Sequence, residues 1–230
     1  MADSRVFVIT GASSGIGAAT AVAASQQGYR LVLAARREDA LKEVASRCEG
    51  EVVTVPTDVT SWESNQELAA AALDSFGAID IVFANAGFGG KRSFSNEGDT
   101  PEHWREMVLT NVLGAAYTVR ATFDPVRESR GHFLLTGSVA GRVAIPGSLY
   151  SSTKWAVTGM GQSLRAELTG TGARVTLIEP GMVDTPFFDN KPAEGILEDE
   201  DIAGAVMWAV EQPERVDVNE ILVRPTVQPL

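Results

Sequence analysis

Residues 6–17 of the chain read VFVITGASSGIG, a short apolar run that leads directly into three closely spaced glycines. The four apolar residues from Val6 to Ile9 are typical of a strand that is covered on both faces. An alanine-rich helical pattern begins at Gly17. The stretch therefore predicts a strand, a tight turn and a helix in immediate succession, which is the first unit of an α/β fold.

The same alternation continues along the chain. Seven short runs are nearly continuous in apolar residues, as expected for the buried strands of a parallel sheet: residues 6–9, 31–34, 52–55, 79–84, 132–135, 175–178 and 221–223. Segments between them carry apolar residues three and four positions apart, as in helices: residues 17–27, 38–48, 62–76, 101–123, 149–168 and 199–210. This order predicts one doubly wound, Rossmann-type parallel sheet of about seven strands with helices on both faces.

Composition and charge narrow the class of protein. Of the 230 residues, 44% are hydrophobic and 21% are charged, and no break in composition divides them, so we expect residues 1–230 to form a single domain. The formal net charge of −11 repels phosphate backbones and anionic lipids, so we expect no nucleic-acid partner and no membrane association. We find no targeting segment or membrane span, and Cys48 is the only cysteine, so we predict a cytoplasmic protein.

The glycine spacing of the first turn suits phosphate binding. The glycines follow the pattern G-x-x-x-G-x-G between the predicted strand and helix. Glycine lets the backbone approach a pyrophosphate that rests on the free N–H groups of a helix N-terminus. A tight turn that binds no ligand has the same pattern, but the α/β context favours a dinucleotide site formed by Gly11, Ser13, Ser14, Gly15, Ile16 and Gly17.

The end of the second predicted strand bears on the choice of dinucleotide. In such folds an acidic residue at this point holds the ribose hydroxyls of NAD, whereas a nearby arginine accepts the 2′-phosphate of NADP. This chain has the small, neutral Ala35 followed by Arg36 and Arg37. A solvated basic pair is the alternative interpretation. We favour a phosphate-binding role for Arg36, joined by Arg37, and predict NADP(H) as the cofactor.

A candidate catalytic pattern follows the fifth predicted strand and consists of Ser138, Tyr150 and Lys154. Ser138 follows that strand, and Tyr150 and Lys154 lie one turn apart on the next helix. A nearby ammonium favours the phenolate, so we expect Lys154 to lower the pKa of Tyr150 from its ordinary value of about 10. Such a tyrosine exchanges a proton with a substrate oxygen, which Ser138 holds by a hydrogen bond. The Tyr-x-x-x-Lys spacing is common on surface helices, so its position in the fold carries the interpretation.

Through these motifs the whole chain resembles the short-chain dehydrogenase/reductase family, in its single-domain branch. The ending at residues 223–226 and the arginine-bearing second strand are most similar to bacterial NADP-dependent carbonyl reductases and 3-hydroxy acid dehydrogenases. Two positions depart from the pattern. Ser14 stands where many NADP-binding relatives carry a basic residue, and Thr153 replaces the commoner serine or alanine, which we expect to matter little. The matching motifs are residues 10–17, 57–59, 85–87, Asn111, Ser138, 150–154, 180–181 and Thr185.

The resemblance implies a role for each matching residue. Tyr150 would be the acid or base, Ser138 would hold the substrate oxygen, and Lys154 would bond the nicotinamide ribose. Asn111 would bend its helix and hold a water that links Lys154 to solvent. Implied cofactor contacts beyond the glycine turn lie against the adenine, along the cleft and at the carboxamide: Asp58, Val59, Asn85, Ala86, Gly87, Tyr150, Lys154, Pro180, Gly181, Val183 and Thr185.

The longest irregular stretch, residues 181–198, is the expected substrate loop. It contains helix-breaking residues but too many apolar ones for a merely solvated loop, so a cover over the ligand and a packed surface loop are both open. Arg142 is either a partner for a substrate carboxylate or a solvated arginine. His103 and His132 lack metal-ligand spacing, so we predict no metal. The candidate substrate contacts are Ser138, Ile145, Tyr150, Met182, Phe187 and Phe188.

These features predict an NADP(H)-dependent oxidoreductase that transfers a hydride between nicotinamide and a secondary alcohol or ketone. A catalytically silent NADP-binding sensor is one alternative, but a sensor needs only the cofactor residues, and the catalytic ones are intact here. A sugar-nucleotide epimerase or dehydratase is another, but those relatives have more chain than follows Gly181. Relatives are commonly built through the helices that carry Asn111 and Tyr150, so the resemblance also implies a homotetramer or homodimer.

Overall fold

A computed structural model describes residues 5–187 and 195–228 of the chain. Within these residues seven parallel strands form one sheet in the order β3-β2-β1-β4-β5-β6-β7. The predicted doubly wound sheet is therefore confirmed. The strands are β1 (Val6–Thr10), β2 (Arg30–Ala35), β3 (Val52–Pro56), β4 (Ile81–Ala84), β5 (His132–Thr136), β6 (Arg174–Pro180) and β7 (Glu220–Val223).

Helices cover both faces of this sheet. Their bounds are α1 (Gly15–Gln26), α2 (Glu38–Ala45), α3 (Trp62–Phe76), α4 (Pro101–Val108), α5 (Ala115–Glu128), α6 (Leu149–Glu167) and α7 (Asp199–Val210). On one face α1, α2 and α7 pack against Phe7 and Ile9, whereas on the other α3, α5 and α6 pack against Val6 and Val8. Successive side chains of a strand point to opposite faces, so each inner strand contributes to two cores and is mostly apolar.

The order of the strands positions the candidate site. The chain winds outward from β1 through β2 to β3 and then returns to place β4 on the other side of β1. In open α/β sheets, ligands bind in the crevice outside the carboxyl ends of the strands, at the point where the winding reverses. The glycine turn follows β1 directly, and residues 85–87 follow β4, so both border this crevice.

Several predicted boundaries differ in detail from the observed ones, and two of these differences bear on the site and the sheet. The single helix expected over residues 101–123 is instead α4, a π-helical segment (Leu109–Gly114) and α5. The strand expected from residue 79 begins at Ile81, because Asp80 accepts a side-chain hydrogen bond from the Val6 N–H at 2.7 Å and lies ahead of the ladder. Within the described ranges, no helix combines the length and apolar character needed to cross a membrane.

Candidate active site

The glycine turn, residues 11–17, forms a closely packed backbone cradle in which added side chains would collide with their neighbours. Gly11 and Gly15 have φ of 65° and 51°, which favour glycine. A Cβ on Gly17 would lie 2.4 Å from the carbonyl oxygen of Gly11 and 2.8 Å from Nδ2 of Asn85. Ser14 precedes α1 without making a side-chain cap, and the first turn carries no acidic residue. The N–H groups of this turn therefore suit an anionic group, as a pyrophosphate requires.

Two arginines stand at the outer end of this cradle. Arg36 follows β2 and is exposed, and Arg37 is the residue that precedes α2. The described residues include no ion-pair partner for either one. The turn and the strand end are joined by the Ala12 N–H, which donates to the carbonyl oxygen of Ala34 at 3.1 Å. The arrangement leaves both guanidinium groups accessible to a phosphate beside the turn.

A buried network joins the ends of three central strands. The Asn85 amide donates from Nδ2 to the carbonyl oxygen of Thr10, and its Oδ1 accepts from the Thr136 hydroxyl at 2.9 Å. The Thr10 hydroxyl in turn accepts from the backbone N–H groups of Asn85 and Ala86. Because the three strands are tied at their carboxyl ends, the floor of the crevice is fixed before any ligand binds.

The predicted catalytic residues converge above this floor. Ser138 lies just beyond β5, and its hydroxyl donates to the carbonyl oxygen of Pro180 at 3.3 Å. Lys154 is buried in α6, lies 5.6 Å from the centre of the Tyr150 ring, and donates from Nζ to the carbonyl oxygen of Thr136 at 2.7 Å. The spacing of Tyr150 and Lys154 thus places both on one face of α6, as the sequence predicts.

The titration of this pair differs from the prediction. Burial raises the pKa of Tyr150 to about 12, and the hydrogen bond from Ser138 offsets only part of that effect. Burial also lowers the pKa of Lys154 to about 8. The expected lowering of the Tyr150 pKa by Lys154 is wrong for this arrangement, since the cost of desolvating the phenolate exceeds any stabilisation by the ammonium.

Asn111 lies where the long helix is interrupted. It sits in the π-helical segment between α4 and α5 and is 2% exposed. Its Oδ1 accepts from the Phe88 N–H at 3.0 Å, and its Nδ2 donates to the Phe88 carbonyl oxygen at 2.8 Å. A π turn commonly marks a functional position within a helix. The bend implied at Asn111 thus coincides with an observed π turn, and its role with a water stays a prediction.

The remaining cofactor candidates approach the cradle from other strand ends. Asp58 and Val59 follow β3, and Gly87 follows β4. A Cβ on Gly87 would lie 3.0 Å from Oδ1 of Asn111, so this residue packs closely against Asn111. After β6, Thr185 reaches the turn: a Cβ on Gly15 would lie 3.0 Å from its Cγ2. The structure therefore brings the sequence-predicted positions to one edge of the sheet, while their roles stay predictions.

The loop after β6 contributes an aromatic side chain to the site. The Phe187 ring lies 5.4 Å from the Tyr150 ring in an edge-to-face arrangement, and a Cβ on Gly89 would lie 2.5 Å from its Cζ. Met182 is fixed through its N–H, which donates to Oε1 of Gln228. Ile145 is half-buried in the segment before α6. Phe188, also predicted to contact substrate, lies outside the described residues, so the two interpretations of the 181–198 stretch remain open.

Arg142 has neither of the two roles considered from the sequence. Its Nε donates to Oε1 of Glu179 at 2.7 Å, and its Nη2 pairs with Glu220. Glu179 is 1% exposed and also faces the Thr158 hydroxyl. Arg142 is therefore a structural ion-pair partner. Sequence analysis missed this role because both carboxylates lie far along the chain, in β6 and β7. Across the residues that the structure describes, no group of three His, Cys, Asp or Glu side chains is arranged to hold a metal ion.

Comparison with known proteins agrees with this geometry. The sequence profile of the family described as short chain dehydrogenase matches residues 5–195. An uncharacterized oxidoreductase of Staphylococcus saprophyticus is 42% identical over 229 residues, which cover 96% of this chain and 97% of that protein. The chain therefore belongs to the short-chain dehydrogenase/reductase family, and it is an oxidoreductase that acts on CH–OH groups with a nicotinamide cofactor.

Solved structures extend the likeness to the whole fold. The alcohol dehydrogenase of the archaeon Thermococcus sibiricus, complexed with 5-hydroxy-NADP, has a TM-score of 0.91 and 36% identity, with 98% of each chain covered. The serine dehydrogenase of Escherichia coli has a TM-score of 0.89 and 30% identity, and covers 98% of this chain and 100% of its own. Both similarities span the sheet and the loops that border the candidate site.

Proposed function

We propose that this protein is an NADP(H)-dependent carbonyl reductase that interconverts a ketone and a secondary alcohol, with Tyr150 as the proton-transfer residue. The observation that carries the proposal is the convergence of Ser138, Tyr150 and Lys154 beside the glycine cradle, at the reversal point of the sheet. A binding protein for the dinucleotide needs the cradle alone, whereas a half-buried tyrosine and a buried lysine with shifted pKa values suit chemistry.

The chain's own residues supply the proton and hold the substrate. In reduction, the neutral phenol of Tyr150 donates its proton to the carbonyl oxygen as charge develops there, and the Ser138 hydroxyl donates a hydrogen bond to the same oxygen. Lys154, as an ammonium below about pH 8, stabilises the phenolate that remains. In oxidation the same groups act in reverse. When bound, the nicotinamide accepts or supplies the hydride at the substrate carbon.

Cofactor binding is supported by the cradle and by the two arginines. The backbone is packed so closely at Gly17 that a Cβ would collide with the Gly11 carbonyl oxygen, and the uncapped N-terminus of α1 offers N–H groups to a pyrophosphate. We propose that Arg36, with Arg37 beside it, binds the 2′-phosphate of NADP(H), since β2 ends at Ala35 without an acidic residue to hold a ribose diol, and the next acidic residue, Glu38, lies in the first turn of α2 and pairs with Lys42. The complex of the Thermococcus relative with an NADP derivative is consistent with this choice.

The substrate side of the site favours an apolar ketone or alcohol. Phe187 lies against the Tyr150 ring, and Ile145 lies on the segment that leads into α6. Arg142, the basic residue nearest along the chain to Ser138, is engaged by two carboxylates and so does not serve a substrate carboxylate. We propose a small-molecule substrate whose carbonyl carries at least one apolar substituent.

A carbonyl and alcohol panel tests the proposed function. Purified protein is assayed by NADPH absorbance, alongside Tyr150→Phe, which keeps the ring and removes the proton donor. We expect the parent to reduce at least one ketone, and the variant to lose most turnover, by about 100-fold or more, while it still binds NADPH. Near-normal turnover in Tyr150→Phe on a substrate that the parent accepts would contradict the assignment.

We further propose that the protein is a cytoplasmic homo-oligomer, a tetramer or a dimer. The outer face of α6 is formed by small residues, Ala156, Gly159 and Ser163, beside Trp155, whose exposed fraction is 48%. Small residues allow another helix to approach closely, and an exposed tryptophan gains from being covered. Light scattering of the purified protein measures the state directly, and a monomer at assay concentrations would contradict the proposal.

A further inference from the structure

Thr153 occupies a position between the two catalytic residues of α6. It is 2% exposed, and its hydroxyl donates to the carbonyl oxygen of Tyr150 at 2.7 Å. The hydroxyl oxygen of Thr153 itself accepts a hydrogen bond from Nδ2 of Asn111 at 3.2 Å. Since a threonine hydroxyl has one hydrogen, which goes to Tyr150, the contact with Asn111 uses the oxygen as an acceptor. The hydroxyl therefore connects the catalytic helix to the π turn.

This contact completes the hydrogen bonding of the Asn111 amide donors. One N–H of Asn111 goes to the Phe88 carbonyl oxygen and the other goes to Thr153, while Oδ1 accepts from the Phe88 N–H. Asn111 is 2% exposed, so water cannot readily replace a lost hydrogen-bond partner, and an unpaired amide N–H would cost free energy. Without the Thr153 oxygen, the amide is held only by the loop after β4 and no longer by α6.

The position of Asn111 matters because it borders Lys154. A Cβ on Gly87 would lie 3.0 Å from Oδ1 of Asn111 and 3.7 Å from Nζ of Lys154, so these two side chains flank the same glycine. A shift of the π turn therefore opens space beside the ammonium group. The hydroxyl at residue 153 therefore contacts a side chain that borders the ammonium group.

We propose that Thr153 is a positioning residue, whose hydroxyl holds Asn111 and the π turn in register with Tyr150 and Lys154. The proposal rests on the proposed function, because it assigns Thr153 a task in the same proton-transfer site. Serine at this position provides the same oxygen, whereas valine has nearly the same shape and provides none. The two substitutions therefore separate the hydrogen bond from the packing.

The main test compares Thr153→Val and Thr153→Ser with Thr122→Val as the matched control. Thr122 is a buried threonine of α5 whose hydroxyl donates to its own helix at the Thr118 carbonyl, away from the site. We expect Thr153→Val to lower kcat about tenfold, equivalent to about 1.4 kcal/mol, with little change in KM for the ketone. Thr153→Ser should recover most of the loss, and Thr122→Val should leave kcat unchanged.

The pH profile separates positioning from a loss of stability. Burial lowers the pKa of Lys154, so a loosened π turn that admits water should raise it toward its ordinary value. We expect the alkaline decline of kcat to move to higher pH in Thr153→Val and to stay in place in Thr122→Val. A Thr153→Val variant with the kcat and the pH profile of the control would overturn the proposal. If that variant does not fold, Thr153→Ala serves as the same comparison.

A double-mutant cycle and hydrogen exchange test the route through Asn111. If Thr153 acts through this residue, Thr153→Val should change single-turnover rates less than twofold in an Asn111→Ala background, and additive effects would overturn the proposal. The Phe88 N–H should also exchange faster in Thr153→Val than in Thr122→Val, because its acceptor belongs to Asn111. This exchange readout needs no substrate. If the parent reduces no carbonyl compound, the proposed function fails, and the exchange rates still decide on Thr153.

Discussion

At the scale of single residues, burial sets the chemistry of the site. Tyr150 and Lys154 are both desolvated, which disfavours the charged form of each and so shifts their pKa values in opposite directions, to about 12 and about 8. Near neutral pH the pair is thus a phenol and an ammonium. This is the protonation state needed to donate a proton to a carbonyl oxygen and then to stabilise the phenolate that results.

The lowered pKa of Lys154 predicts the pH dependence of reduction. Below about pH 8 the side chain is charged, and above it the charge is lost, so the support for the Tyr150 phenolate is lost as the pH rises. We expect kcat for ketone reduction to be level below pH 8 and to fall up to about tenfold per pH unit above it. Steady-state rates at saturating substrate, from pH 6 to 9.5, measure this. A flat profile over that range would show that the ammonium is dispensable.

The side chain of Arg36 predicts the choice of dinucleotide. A hydrogen bond to a charged group contributes about 1.5–3 kcal/mol, and about 1.4 kcal/mol is tenfold in affinity. We therefore expect NADPH to bind tens to hundreds of times more tightly than NADH, and Arg36→Ala to erase most of that preference while leaving NADH binding nearly unchanged. Calorimetric Kd values for both cofactors decide this.

A matched substitution controls for the loss of one positive charge. Arg215 is an exposed arginine in the turn before β7, at the opposite edge of the sheet. Arg215→Ala should keep the parent's ratio of the two affinities. Equal affinities in the parent, or the same ratio in Arg36→Ala, would identify Arg36 as a solvated surface charge.

At the scale of elements, ion pairs join segments that sequence order separates. Arg142 follows the short turn after Ser138, Glu179 is the penultimate residue of β6, and Glu220 begins β7. The ion pair between Arg142 and Glu179 therefore ties the turn that carries Ser138 to β6, the strand that ends at Pro180. Burial raises the pKa of Glu179, and its hydrogen bond with Arg142 opposes that shift, so the carboxylate depends on its partner.

Removal of Arg142 is predicted to destabilise the fold. Arg142→Met leaves the buried Glu179 without its counter-charge, and we expect the free energy of unfolding to fall by about 3 kcal/mol. Arg142→Met combined with Glu179→Gln should recover part of this loss, because the unpaired charge is then removed. Urea unfolding measures both. Arg165→Met is the control: its contact with Asp217 is 4.0 Å long and exposed, so less than about 1 kcal/mol is expected. Equal losses in the two single variants would contradict the role of Glu179.

At the scale of the whole molecule, a buried histidine links stability to pH. The Nε2 atom of His132, in β5, lies 2.7 Å from the hydroxyl oxygen of Thr176. That hydroxyl donates its hydrogen to the carbonyl oxygen of Val218. Nε2 must therefore carry the ring hydrogen, and within the described chain Nδ1 has no partner. Burial lowers the pKa of His132 well below its ordinary value, and the charges of Arg174 and Arg5 lower it further.

This histidine predicts a loss of stability in mild acid. The unfolded chain binds a proton at His132 as the pH falls below about 6.5, whereas the folded chain does not, so unfolding becomes more favourable. We expect the free energy of unfolding to fall by up to about 1.4 kcal/mol per pH unit between pH 6.5 and 5. Denaturant titrations at several pH values in this window should show that the free energy of unfolding depends less steeply on pH in His132→Gln than in the parent. The partly exposed His103 offers the control, and a dependence on pH that is as weak in His103→Gln as in His132→Gln would count against the assignment.

Local patterns were sufficient to predict the strands, most helices and the positions of the catalytic motifs. The buried strands and the turn at Gly11 to Gly17 are each encoded by residues that lie close together in the sequence. Apolar periodicity and glycine spacing therefore predict them directly. The family resemblance implied a bend at Asn111, but apolar periodicity did not show it, because the π turn is associated with Asn111 bonding to the backbone of Phe88, which lies 23 positions earlier. No periodicity within residues 101–123 encodes that contact.

The sequence by itself determined the fold class, through short-range order, and the family, through its resemblance in the motifs, and it predicted the edge of the sheet at which the candidate site lies. Only the tertiary structure decided which contacts the side chains make there. Arg142 meets Glu179 across 37 positions, and Asn111 meets Thr153 across 42. The pKa values of Tyr150 and Lys154 follow from burial, which is a property of everything packed around them. Contacts and desolvation of this kind exist only once distant segments are brought together, so they are properties of the folded chain.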